Sequence, residues 1–132
     1  MKNFYEITDT NLINITVRLI PNSSPTVTVI INKIALVIND KIDKPTTLST
    51  TIDVRSALNI HIEVENGHVE IENIYADNIL LVPTYTHLST YSDQSMHPTT
   101  VVRSNNQWKL NTTVPILWWI HEHSGNGWLL YP

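Results

Sequence analysis

The stretch "LNIHIEVENGHVEIENI", residues 58–74, decides the reading of the fold. Leu58, Ile60, Ile62 and Val64 share one parity, and Asn59, His61, Glu63 and Glu65 share the other. Successive side chains of a β-strand point to opposite faces, so the pattern describes a half-buried strand. After Asn66-Gly67 the alternation resumes, with Val69 and Ile71 set against His68, Glu70 and Glu72. Asn-Gly suits the two positive-φ positions of a type I′ turn, which predicts a β-hairpin here. A two-residue turn would place Glu65 opposite His68, Glu63 opposite Glu70 and His61 opposite Glu72. Such pairs contribute only tenths of a kcal/mol each and read as a solvated outer face.

Working outward, the same period recurs. In "LINITVRLI" (residues 12–20) Ile13, Ile15, Val17 and Leu19 share a face. In "TVTVII" (26–31) Val27, Val29 and Ile31 do so. "IALVI" (34–38) is apolar on both faces, as a central strand would be, and "LSTTIDV" (48–54) and "ILLVP" (79–83) are further strands. "TTVVRS" and "QWKLNT" flank Asn105-Asn106 as a second hairpin. "PILWWIHEH" and "WLLYP" flank "SGNG" (124–127) as a third. With only three glycines, the turns rest on Asn and Asp, which tolerate left-handed backbone. No helical periodicity, heptad or internal repeat is present. Some nine to eleven short strands predict an all-β chain, a two-sheet antiparallel β-sandwich with jelly-roll-like winding. At 132 residues it is expected to form a single domain, 1–132, with residues 1–10 either docked or extended as an N-terminal arm.

Composition narrows the function classes. Hydrophobic residues make up 42% and charged residues 15%, so the chain has enough apolar content to offset the entropy of folding. Eight Lys and Arg against twelve Asp and Glu form no basic stripe for phosphates, so neither nucleic acid nor an anionic membrane surface is an expected partner. The absence of cysteine removes disulfides, thiolate metal sites and cysteine nucleophiles. The opening "MKNFYEITDT" lacks the apolar run of a signal peptide, and no stretch has the roughly 18 apolar residues of a membrane span.

Chemistry-bearing residues are few. His121 and His123 are two apart, a spacing that on a strand puts both rings on one face, as two ligands of one metal would need. A third ligand would come from His97, His87 or Glu122; without one they are polar residues leading into a turn, and no metal is expected. Glu63, Glu70 and Glu72 read as exposed, which does not give the raised acid of a glycosidase pair. There is no nucleophile elbow, phosphate-cradling loop or zincin helix, so no enzyme activity and no cofactor are expected. In "PILWWIHEH", Ile116, Trp118 and Ile120 fall on one face and Leu117, Trp119 and His121 on the other. Trp119 either packs in a second core layer or anchors a partner. The polar stretch 84–98 is either a crossover between sheets or a loop presenting Tyr85, Tyr91 and His97 to a ligand. The candidate binding set is therefore Trp119, Tyr85, Tyr91, His97 and His121.

The segment "NIHIEVENGHVEIENIYADNILLVP" (59–83) and the closing "WKL…VPILWWIHEHSGNGWLLYP" resemble small jelly-roll modules of bacteriophage virion proteins. There, an alternating hairpin leads through a short Asp-Asn or Asp-Gly turn to an apolar strand ending in Pro. The resemblance implies a structural, decoration or tail/fibre role in a particle assembled in a host cytoplasm. Its expected partners are further copies of the chain or other virion proteins, and it carries over no catalytic residue. Non-catalytic carbohydrate-binding modules share similar sandwiches, which keeps a glycan as an alternative partner. No calcium-ligand cluster accompanies that alternative. A His-based metal-dependent enzyme is the third reading.

Overall fold

A computed structural model describes residues 12–53, 57–77, 79–96 and 99–113. Ten strands lie in these segments: β1 (Leu12–Asn22), β2 (Thr26–Ile31), β3 (Ile34–Lys41), β4 (Thr46–Asp53), β5 (Ala57–Glu65), β6 (His68–Ala76), β7 (Ile79–Val82), β8 (Thr90–Tyr91), β9 (Val101–Arg103) and β10 (Asn106–Thr113). One sheet runs β4-β1-β6, and then β7 and β9 pair with successive halves of the far edge of β6. The other runs β3-β2-β5-β10-β8. All pairings are antiparallel, and the two sheets pack face to face, as the alternation predicts. No helix among the described residues is long and apolar enough to cross a membrane.

The core is built from the predicted parities. Ile13, Ile15, Val17 and Leu19 of β1 are buried, as are Val27, Val29 and Ile31 of β2 and Leu58, Ile60, Ile62 and Val64 of β5. Each such side chain, moved fully out of water, contributes about 1.5–3 kcal/mol. Trp108 fills the interior from β10, and its indole N–H donates to the Thr99 carbonyl at 3.0 Å. That bond satisfies the one polar atom its ring carries into the core.

The connection at Asn66-Gly67 corrects the expected hairpin. Both residues have positive φ, 60° and 66°, as the turn chemistry requires. Yet β5 pairs with β2 and β10, and β6 pairs with β1, β7 and β9, so the two strands lie in different sheets. Asn66-Gly67 is an arch that carries the chain across the core. The cross-strand His–Glu pairs are therefore not formed. The second hairpin is corrected in the same way: β9 lies in the first sheet and β10 in the second, with Ser104 and Asn105 arching between them.

Four such arches gather at one end of the sandwich, joining β1 to β2, β3 to β4, β5 to β6 and β9 to β10. Neighbouring arches bond to one another. Ile42 N–H donates to the Pro25 carbonyl (2.9 Å), Ser104 Oγ to the Gly67 carbonyl (2.7 Å) and Asn105 N–H to the Val64 carbonyl (2.7 Å). The result is an antiparallel ribbon doubled over the core, a two-sheet β-sandwich.

"IALVI" is corrected too: β3 is an edge strand, and Ile34 and Ile38 are 48% and 60% exposed. The register against β2 slips twice along it. At Asn39 (φ 49°) the backbone N–H turns to the Thr28 hydroxyl at 2.9 Å, and that hydroxyl donates to Asn39 Oδ1 at 3.3 Å. This exchange lies on the side facing β2, where it stands in for a regular ladder pair at the first register shift, and the shifts break the even spacing that an added strand would need.

Gly67 is the tightest point of the arches. A Cβ placed there would sit 2.6 Å from the Asn22 carbonyl oxygen and 3.0 Å from that of Ser23, both backbone atoms. Gly67→Ala is expected to cost about 2–3 kcal/mol, from left-handed strain of about 1–2 kcal/mol plus the clash. Urea unfolding checks this; a loss below about 0.5 kcal/mol would show that the arch yields without strain.

Candidate binding surface

Two open sheet faces carry the polar chemistry. On the second sheet, the strand period puts His61 and Glu63 on the same side of β5, with His61 Nε2 2.9 Å from Glu63 Oε1. Thr28 and Gln107 lie level with Glu63, and Ile30 and Lys109 level with His61. The two side chains are 26% and 41% exposed and remain in contact with water. Among the described residues, no three His, Asp or Glu side chains converge on a point where a metal could sit.

The outer face of the first sheet differs in kind. One row crosses it as Ser49 (β4), Thr16 (β1), Tyr75 (β6) and Leu80 (β7). At a strand spacing of about 4.8 Å, these four uncharged side chains span about 14 Å. Beside this row, Arg18 Nε pairs with Glu72 Oε1 (3.1 Å) and Arg18 Nη1 donates to Thr47 Oγ1 (3.0 Å). The Ser49 hydroxyl makes long contacts of 3.4 Å with Thr16 Oγ1 and Asn14 Oδ1. The Arg18–Glu72 pair is exposed on both sides, so it adds at most about 1 kcal/mol and serves to orient the guanidinium.

Tyr75 stands outward because β6 carries a bulge. The register against β1 shifts between Arg18 and Leu19, so that Leu19 meets Ile71 while Arg18 meets Asn73. The inward set changes parity from Val69 and Ile71 to Ile74 and Ala76. Without the shift, Asn73 and Tyr75 would point inward and Ile74 outward. That would forfeit about 1.5–3 kcal/mol of Ile74 burial, and an unpaired buried amide at position 73 would cost about 1–3 kcal/mol more. The bulge is the cheaper solution, and it leaves Tyr75 37% exposed. The sequence holds the signal in "EIENIYA", where the apolar parity slips by one.

The residues singled out from the sequence fare differently. Trp119, His121, His123 and His97 lie outside the described residues, as do residues 1–10 and the "SGNG" turn. The stretch 84–98 contains structure of its own: 3₁₀ turns at Thr86–Leu88 and Gln94–Met96, and β8 between them. Tyr85 is half-buried and packs against the core, with its ring centroid 6.4 Å from that of His87. Tyr91 is 4% exposed, and its hydroxyl accepts the Arg103 backbone N–H at 2.9 Å. It pairs with Trp108 in the sheet and belongs to the interior, which corrects its reading as a surface anchor. A tyrosine whose hydroxyl has a buried backbone partner reads, in sequence, like one meant for a ligand. Tyr91→Phe is expected to cost about 1–2 kcal/mol by stranding the Arg103 N–H, with secondary structure unchanged. Thermal unfolding checks it, and an unshifted midpoint would mean that the N–H finds water instead.

The chain matches no family model, curated protein or solved structure.

Proposed function

We propose that the chain is a non-enzymatic structural or binding protein that acts through protein–protein contact, with the outer face of the β4-β1-β6-β7 sheet as its contact surface. The observation that carries this reading is the row Ser49–Thr16–Tyr75–Leu80, an uncharged strip with one exposed aromatic ring and an oriented arginine beside it. Interface cores favour Tyr and Arg and disfavour Lys and Glu, and side chains held on paired strands lose little conformational entropy on docking. His61 and Glu63 stand on an open face, where water weakens any charge a catalyst would have to stabilise. The setting we propose is a phage particle, with the chain as a capsid decoration or a tail or fibre module, in contact with copies of itself or other virion proteins. That setting is supported by the resemblance of residues 59–83 and of the aromatic C-terminal stretch.

Mass spectrometry of particles purified from the source culture tests it. The chain is expected at fixed stoichiometry to the major shell or tail proteins. Its absence from particles, with the chain present in the soluble fraction, would end the virion reading.

A second reading, a carbohydrate-binding module, is favoured by Tyr75 itself, whose ring is bordered by hydroxyl, amide and guanidinium groups suited to a sugar. Under it, a glycan array gives a defined hit that Tyr75→Ala weakens by about tenfold, equivalent to about 1.4 kcal/mol, with unfolding unchanged. An array with no hit above background leaves protein contact as the function.

A further inference from the structure

We infer that β4 is a strand-addition edge that pairs with β4 of a second copy, making a two-fold dimer in which the β4-β1-β6 sheets of the two copies join into one across the axis. This rests on the protein-contact reading and names one of its partners. Among the described residues, β4 bonds only to β1, and no backbone group of another element reaches its far side. Its register with β1 is unbroken from Leu12↔Asp53 to Leu19↔Thr46, so the edge has no bulge. Residues 46–52, "TTLSTTI", contain no charge and no proline. The devices that keep sheet edges apart are bulges, lysines, prolines and inward charges, and β4 has none of them across this span. The contrast with β3, on the same flank, is sharp: there the register shifts twice along the strand, a bulged edge that resists pairing.

The occupant follows from symmetry and charge. A two-fold axis normal to a sheet keeps outward side chains outward, so residues of like parity must meet. Centred on Ser49, the pairing sets Ser49 against Ser49, Thr47 against Thr51 and Leu48 against Thr50. Every outward pair is then hydroxyl on hydroxyl, and no like charges are opposed. One operation thus pairs the free backbone of both copies without opposing like charges.

Sedimentation equilibrium of the full chain over micromolar to millimolar concentration is expected to show a monomer–dimer equilibrium rising to twice 15.1 kDa. Ser49→Lys and Ser49→Glu place like charges face to face at the axis. Each is expected to stay monomeric, with an unchanged circular-dichroism spectrum, and their equimolar mixture is expected to regain the dimer. A wild type that remains monomeric throughout overturns the inference, whether the edge is covered by another segment of the chain or by nothing. So does a dimer that survives both substitutions, or a mixture that fails to reassociate. A monomeric chain found in particles would sink the dimer and leave the proposed function; a dimer absent from particles would do the reverse.

Discussion

Every long excursion of this chain depends on one manoeuvre, the passage from one sheet to the other across the core without breaking the inward alternation. In three of the four arches left-handed backbone makes it possible. Ser23 and Ser24, Asn66 and Gly67, and Asn105 all have positive φ where the chain arches over. For serine and asparagine such conformations are costly in isolation, and they persist because neighbouring arches bond to them. Gly67 sits against the Asn22 and Ser23 carbonyls, Ser104 bonds back to Gly67, and Asn105 bonds to Val64. The arches therefore act as one ladder at the end of the sandwich. Loosening any one of them would relax the register of two sheets at once.

Alternation tells a strand which side chains face the core, and it told this correctly for β1, β2 and β5. It is silent about which strand is the hydrogen-bonded neighbour. In a hairpin and in an arch, Val64 and Val69 are equally inward; what differs is whether they stand side by side or face each other. Asn66-Gly67 fixes the turn dihedrals in both cases, so no local signal separates them. The decision is made by β1, β2, β9 and β10, which claim both edges of β5 and β6. That is a non-local result, which is why the outer-face His–Glu pairing read from the sequence does not form. "IALVI" differs from its pattern for a related reason: apolar content on both faces does not require burial, and an edge strand with two register shifts exposes part of it.

The candidate surface was less legible than the fold. Aromatic residues in a polar loop drew attention to Tyr91, whose ring is interior and whose hydroxyl is spent on a backbone amide. Tyr75, inside a strand and on the apparent core parity, attracted none. Its outward turn follows from a bulge whose trace is a single slip in apolar spacing, at Ile71 to Ile74. Strand bulges re-aim side chains, and here the re-aiming is driven by core energetics. The exposed tyrosine is thus compatible with a site and is also the by-product of burying Ile74. The proposed contact role rests on its surroundings, the uncharged row and the positioned Arg18, which core packing does not require.

The two strands on the free flank make the strongest case that the surface answers to something beyond folding. Sheet edges attract one another without discrimination, and a chain that handled both alike would say little. Here the register of β3 slips twice, while that of β4 is unbroken and its residues 46–52 carry no charge. On the proposed dimer, interruption of the β3 register and the unbroken register of β4 confine pairing to one sheet and one register. An edge of this kind favours a partner that matches it residue for residue, and the sequence of β4 supplies such a partner in itself.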